Sequence, residues 1–404
     1  MYPNPQAALP LPPRPSVEQY RKLAKDLVKA CRTGDPGAIS AWASRWKNAD
    51  EIAGFAQEKL ASGCALTAAQ FVIARAYGFL SWPKFVKHIE ELARTSSSIS
   101  AYERAADAIV AGDIPTLQRL LREHPDLVRA QSTREHRATL LHYVSANGVE
   151  GYRQVSPKNA AEIAELLIAS GAEVDATAEV YHGDCTTLGL VATSEPPHRA
   201  GVQIAVIDVL LAHGARMEEL GIAGRDTGLI RACIANGQPE AAEYLVSRGA
   251  PFDLQGAAGV GRLDDVKRLV EGADEKQMKY AFASAAGYGR TAVVEYFLDR
   301  GMPVDIVMNA HGEGSTALHM ASYNAHSGTI KLLLSRGASV HIIDKTWHTP
   351  PLIWALTGWM HKGGERYYEA VALLVAAGSK VTPDLLEWDK ARADPKMMAA
   401  LKHT

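Results

Sequence analysis

The chain has 404 residues, 47% of them apolar and 22% charged, a balance that excludes extended disorder as the main state. Its 43 basic residues meet 45 acidic ones for a formal net charge of −2, with no long run of one sign, so nucleic acid and anionic membrane surfaces are not expected as partners. The length exceeds what one compact core usually holds and calls for two or three units or a repeat array.

Residues 1–15 carry Pro3, Pro5, Pro10, Pro12, Pro13 and Pro15, and the first basic residue is Arg14. The prolines interrupt any secretory apolar stretch, and no apolar run approaches the roughly 20 residues that span a bilayer. A flexible Pro-rich leader in extended or polyproline conformation and a cytoplasmic location are expected. Residues 16–95 read as helical: Ser16 opens a helix through Tyr20, Leu23, Leu27 and Cys31, Gly34-Asp35-Pro36-Gly37 breaks it, and a second helix carries Ile39, Trp42 and Trp46. Thr95-Ser96-Ser97-Ser98 reads as a short linker. The four cysteines, Cys31, Cys64, Cys185 and Cys233, lie far apart without a CxxC pair, so reduced, packed thiols are expected and no metal or cofactor.

From residue 101 onward a pattern recurs in which apolar helix residues run into a glycine, followed by a short polar segment. It appears as LLIASGAEVDA from Leu166, LLAHGARMEEL from Leu210, YLVSRGAPFDL from Tyr244, RLVEGADEKQ from Arg268, YFLDRGMPVDI from Tyr296, LLLSRGASVHI from Leu332 and LLVAAGSKVT from Leu373. The glycines, Gly171, Gly214, Gly249, Gly272, Gly301, Gly337 and Gly378, recur on average every 34 to 35 residues or so, near the ~33-residue period of one helix-pair repeat. A residue just past a helix end takes the left-handed conformation, which only glycine adopts without steric cost. Upstream, Thr139, Thr186, Thr227 and Thr316 each stand two residues before a leucine (Leu141, Leu188, Leu229, Leu318) and are placed to cap a helix.

These motifs resemble the ankyrin-repeat family, most fully between Thr316 and Ile342. The resemblance covers residues 101–382 and implies an all-α solenoid of about seven units with short hairpin-like fingers. It also implies that His142 and His319 are structural groups bonding backbone at a helix start. Residues 16–95 would then cap the first repeat, and residues 383–404 the last, because a solenoid exposes the apolar faces of its end units. The stretch Leu66–Leu92 is similar to one found ahead of ankyrin repeats in some bacterial proteins and suggests a bacterial source.

The interval between Gly249 and Gly272 is too short for a full unit, so either its first helix or its finger must be abbreviated. Residues 149–157, 195–201 and 358–366 read as insertions that lengthen the turn between two helices. Gly256-Ala257-Ala258-Gly259-Val260-Gly261 is glycine-rich but follows no strand and is not a phosphate loop.

No GxSxG, HExxH or P-loop is present, so catalytic residues are not identified. Polar and aromatic residues gather on the fingers: Tyr181, His182, Asp184, Asp226, His311, Trp347 and His348, with Trp359 on the floor beside Tyr143, Tyr323, Asn324 and Trp354. Three readings stand open. They are solvated finger residues serving a protein partner, a groove for a small ligand or acid–base chemistry, or a metal set. The resemblance to a binding family favours a protein partner bound through the concave groove, with a small-molecule binder or unconventional enzyme as the alternative.

Overall fold

The computed structural model describes residues 4–94, 96–181, 183–217, 228–307 and 314–402. The chain divides into two units, Met1–Leu229 with Asn236–Ala241, and Ile230–Ala235 with Ala242–Thr404. Among the described residues both are all-α apart from one two-stranded hairpin in the first.

The first unit opens with α1 (Val17–Arg32), α2 (Pro36–Ala43), α3 (Ala49–Leu60), α4 (Leu66–Ala76) and α5 (Trp82–Leu92). Local chemistry sets their starts. Asp35 accepts from the Gly37 amide at 2.8 Å with Pro36 beginning α2, and Ser81 accepts from the Lys84 amide at 3.5 Å with Pro83 in the first turn of α5. The helices close over an aromatic core in which the Tyr20 ring stands edge-on to Phe85 at 4.8 Å and Tyr77 stacks on Phe85 at 5.3 Å.

Two expectations for this region fail. The leader is not a free tail over residues 4–9: Ala8 and Leu9 are buried, the Leu9 amide donates to Ala76 O at 2.9 Å, and Asn48 Nδ2 donates to Ala7 O at 3.1 Å. Two apolar side chains between the prolines suffice to dock it. The thiols are not all reduced either, since Cys31 at the end of α1 and Cys64 after α3 come within 5.7 Å (Cα–Cα) and form a disulfide. Distance along the chain is no guide to this pairing. Cys185 and Cys233 are unbridged and buried.

The repeats follow as helix pairs. The pair α6 (Ser98–Ala111) and α7 (Ile114–Glu123) ends at His124 before Pro125 rather than at a glycine, which hid it from the glycine pattern. Next come a 3-10 turn (Leu140–Ser145) with α8 (Ala160–Ala169), the strands β1 (Thr177–Val180) and β2 (Gly183–Thr186), then α9 (Thr187–Ala192), α10 (Glu195–Arg199) and α11 (Gln203–Ala212). The hairpin register pairs Thr177 with Thr186 and Val180 with Gly183, and Cys185 packs beneath it. Helices α12 (Leu229–Ala235) and α13 (Pro239–Ser247) contain the residues at which the two units divide. The second unit continues with α14 (Leu254–Val260), α15 (Leu263–Leu269), α16 (Glu275–Gly287), α17 (Thr291–Asp299), α18 (Ala317–Tyr323), α19 (Ser327–Ser335), α20 (Pro351–Lys362) and α21 (Arg366–Ala376). It ends with α22 (Pro383–Glu387), α23 (Asp389–Arg392) and α24 (Pro395–Lys402).

Six of the seven stop glycines have φ between 85° and 102°, as the left-handed helix end requires. Gly272 is the exception and closes a 3-10 turn. In the short interval both helices survive and the finger is lost: Asp253, four residues past Gly249, caps α14 by accepting from the Gly256 amide at 2.8 Å. The absence of a side chain at Gly259 lets α14 approach its neighbours, because a Cβ there would sit 2.7 Å from both Ile234 Cδ1 and Ser284 Oγ. The insertion at 358–366 lengthens helix α20 rather than a turn, leaving 363–365 as the connection.

Thr139 and Thr316 start their elements together with a histidine. His142 Nδ1 accepts from the Thr139 amide at 3.1 Å, while its Nε2 donates to Cys185 O at 3.2 Å, tying one repeat to the next finger. Burial pushes His142 down to about 4, so it works as a neutral donor and acceptor. Thr227 lies outside the described residues.

A buried ionic cluster fastens the N-terminal helices to the first repeats. Arg134, 2% exposed, bonds Tyr77 O at 2.8 Å, pairs with Glu103 at 3.3 Å and with Glu150, and lies over the Phe79 ring. Arg153 pairs with Glu103 at 2.8 Å and Asp107 at 2.7 Å. Burial alone would raise both glutamates, but Arg134 and Arg153, joined at Glu150 by His136, outweigh it and hold them below the usual carboxylate range.

Candidate functional site

The finger residues singled out in the sequence divide between the units. Tyr181 and Asp184 are on the hairpin of the first; Trp347, His348 and Trp359 are in the second. His182, Asp226 and His311 lie outside the described residues. Among the described residues no group of three or more His, Cys, Asp or Glu is placed to hold a metal ion.

At the first finger, Tyr181 sits at the hairpin tip in a left-handed conformation, φ 53°. Its hydroxyl donates to Asn147 Oδ1 at 2.5 Å and accepts from Gln6 Nε2 of the leader. The leader also presses on the insertion, since a Cβ at Gly151 would fall 2.4 Å from Gln6 O. Tyr143, expected on the floor, is fully buried, covered by the insertion that brings Arg153 over its ring at 5.8 Å.

The second unit presents a concavity of about 550 Å³ beside residues 344–349. Trp347 and Trp354 form one wall, their rings 5.0 Å apart at 63°, and Tyr323 stands edge-on to Trp354 at 6.1 Å. His361, 3.4 Å from the Tyr323 hydroxyl, closes the far end, and Met320 with Ile353 supplies apolar floor. Trp347 is 58% exposed whereas Trp354 is 6% exposed, so one indole is anchored and the other projects.

Asp344 holds this wall in place. Its side chain is 1% exposed, with Oδ1 accepting from the amides of Thr346 and Trp347 at 2.9 and 2.7 Å. Its Oδ2 accepts from the Thr349 amide and hydroxyl, both at 2.9 Å, and from Trp354 Nε1 at 3.2 Å. Burial would raise the carboxyl, yet these donors hold it well below the usual range. His319 pins the other end, with Nδ1 accepting from the Thr316 amide at 3.2 Å and Nε2 donating to Thr349 O at 3.2 Å. His348, at φ 53°, takes the left-handed turn that lets the chain fold around the carboxylate.

Trp359 does not join this wall. It is 6% exposed, edge-on to Trp388 at 5.8 Å in the core. Helical geometry separates the two: Ile353, Trp354, Thr357 and His361 share a face of α20, whereas Trp359 is five residues from Trp354 and points elsewhere. That same spacing was the sequence signal for His361 and Thr357, which the finger-based reading passed over.

The pocket can desolvate an apolar group, and among the described residues no carboxylate lines it. Asp344 is spent on backbone, hydroxyl and indole donors, which leaves Tyr323 and His361 as the titratable groups of the described lining.

A family model described as "Ankyrin repeats (3 copies)" matches residues 254–344. Among curated proteins, zebrafish (Danio rerio) Inversin is 41% identical over 70 residues, which is 17% of this chain and 7% of that protein. "Ankyrin repeat and KH domain-containing protein mask-1" of Caenorhabditis elegans is 27% identical over 191 residues, 45% of this chain and 7% of that protein. The chain thus spans 7% of the length of each of these relatives. Among solved structures, the human ASB11 ankyrin repeat domain is 18% identical, with 65% of this chain and 98% of that one covered and a TM-score of 0.35, too low for the likeness to carry an argument.

Proposed function

We propose that this ankyrin-repeat chain is a binding module that recognises another protein, and that the contact centres on the second unit, at Trp347 and the pocket beside it. Ankyrin repeats generally serve protein–protein interaction, and stacked repeats present their variable residues for binding. The observation that carries the reading is an apolar, aromatic pocket of about 550 Å³ whose wall is preset by Asp344. An exposed tryptophan beside a desolvated pocket is the usual anchor of an interface, and a prebuilt wall lowers the ordering cost of binding.

Photocrosslinking in the source cells tests this. With p-benzoylphenylalanine in place of Ile343, exposed in the same finger, a discrete protein adduct is expected, and it should vanish when Trp347→Ala is added. The same group in place of Leu66, exposed in the first unit, should give none. Equal adducts from both positions, or none from 343, would overturn the reading.

A further inference from the structure

The charge around the pocket narrows the partner's chemistry. The protein as a whole is slightly acidic, but residues 345–366 carry Lys345, Lys362 and Arg366 against one acid, Glu365, which is paired with Lys396. The Lys362 ammonium sits 4.7 Å over the Tyr323 ring and donates to Asn324 Oδ1 at 2.5 Å. Among the described residues neither Lys362 nor Arg366 makes an ion pair. Burial, and after it the neighbouring Arg366, pushes Lys362 below its ordinary value.

Each feature bears on the occupant. A concavity of about 550 Å³ has room for an aromatic side chain, which buries roughly 150–250 Å². A cationic group is disfavoured, because the Tyr323 face already carries Lys362. Trp347 in its lining is 58% exposed, so an occupant can hang from a chain lying across the surface.

We infer that the pocket takes an aromatic side chain from a partner segment that carries an Asp or Glu within about three residues of it, the aromatic ring between Trp347 and Tyr323 and the carboxylate on Lys362. This rests on the protein-binding reading above and adds the partner's composition. Ring burial supplies the affinity, and the carboxylate supplies direction and selectivity against basic segments.

The test is selection from a random twelve-residue phage-displayed peptide library on the immobilised full chain, with Trp347→Ala and Lys362→Met as counter-targets. Expected are peptides that pair Phe, Tyr or Trp with a nearby Asp or Glu. Their binding should be abolished by Trp347→Ala, weakened about tenfold by Lys362→Met, and lowered by added salt. Peptides that depend on Trp347 but lack acids, or that bind Lys362→Met as tightly, would overturn this inference and leave the protein-binding reading standing. Recovery of no Trp347-dependent peptide would overturn both. N-acetyl-tryptophan supplies the last arm: if it binds as tightly as the selected peptides, the occupant is a small aromatic acid and the inference falls.

Discussion

Two fingers of this protein share a backbone device and differ in what the rest of the chain does to them. The tip of the first, at Tyr181, and the turn of the second, at His348, both have φ of 53°. Tyr181 is tied down by Asn147 and by Gln6 of the leader, whereas Trp347, beside His348, stands 58% exposed over an apolar pocket. A distant segment therefore tethers the tip hydroxyl of the first finger, although the Tyr181 side chain stays 37% exposed. The fingers' own sequences, both rich in aromatic and polar residues, do not reveal this difference.

The comparison can be broken most forcefully through the internal supports of each unit. Glu150→Ala should destabilise the first unit by about 3–5 kcal/mol, because Arg134 would be left charged in a dry interior; hydrogen exchange should show the loss at 79–153 and not in the second unit. A cost under about 1 kcal/mol would mean that the cluster does not hold the N-terminal helices to the repeats. Leu9→Ala should cost about 2 kcal/mol and, by undocking the leader, release the Tyr181 hydroxyl from Gln6 and raise its reactivity to chemical modification. If that reactivity is unchanged, the leader is not what tethers it.

Asp344→Ala removes the acceptor from five donors and should cost about 2 kcal/mol, with a changed Trp347 and Trp354 fluorescence and weaker partner capture. Acid gives a smaller, graded effect. His88 is pushed down to about 4 by burial, against the pull of Glu103. Between pH 4 and 6.5 the unfolded chain binds a proton there that the folded one does not, so stability is full above pH 6.5 and falls toward pH 4. His88→Gln should flatten that slope in the first unit's denaturation midpoint and leave the second unit's slope unchanged. Trp347→Ala should change stability least, by under about 0.5 kcal/mol, while abolishing capture of the partner; a large drop in melting temperature would instead mark Trp347 as structural.

Much of the fold was legible because its signals are local. A left-handed helix end demands glycine, and a helix start rewards threonine with histidine three residues on, so Gly171 to Gly378, Thr139 and Thr316 announce the repeats. Where another device does the same job, as at His124-Pro125, the repeat goes unseen. The site was half legible. Trp347 stood out by type, but Asp344 reads as an ordinary finger acid until its carboxylate is found facing five donors. Trp359 misled because aromatic type was weighed without its position around α20. The leader's docking and the Cys31–Cys64 bridge depend on contacts between segments far apart in sequence, which no local pattern encodes.

The pair α14 and α15 stacks in sequence with no finger between Gly249 and Asp253. A repeat that stands without its finger shows that neighbours can be joined by their helices alone. Binding residues on them can be exchanged with little risk to the scaffold, provided an anchor such as Asp344 is kept. New specificities can thus arise by mutation in six-residue stretches while the helices remain unchanged, a separation of tasks that leaves this architecture open to rapid divergence of partners.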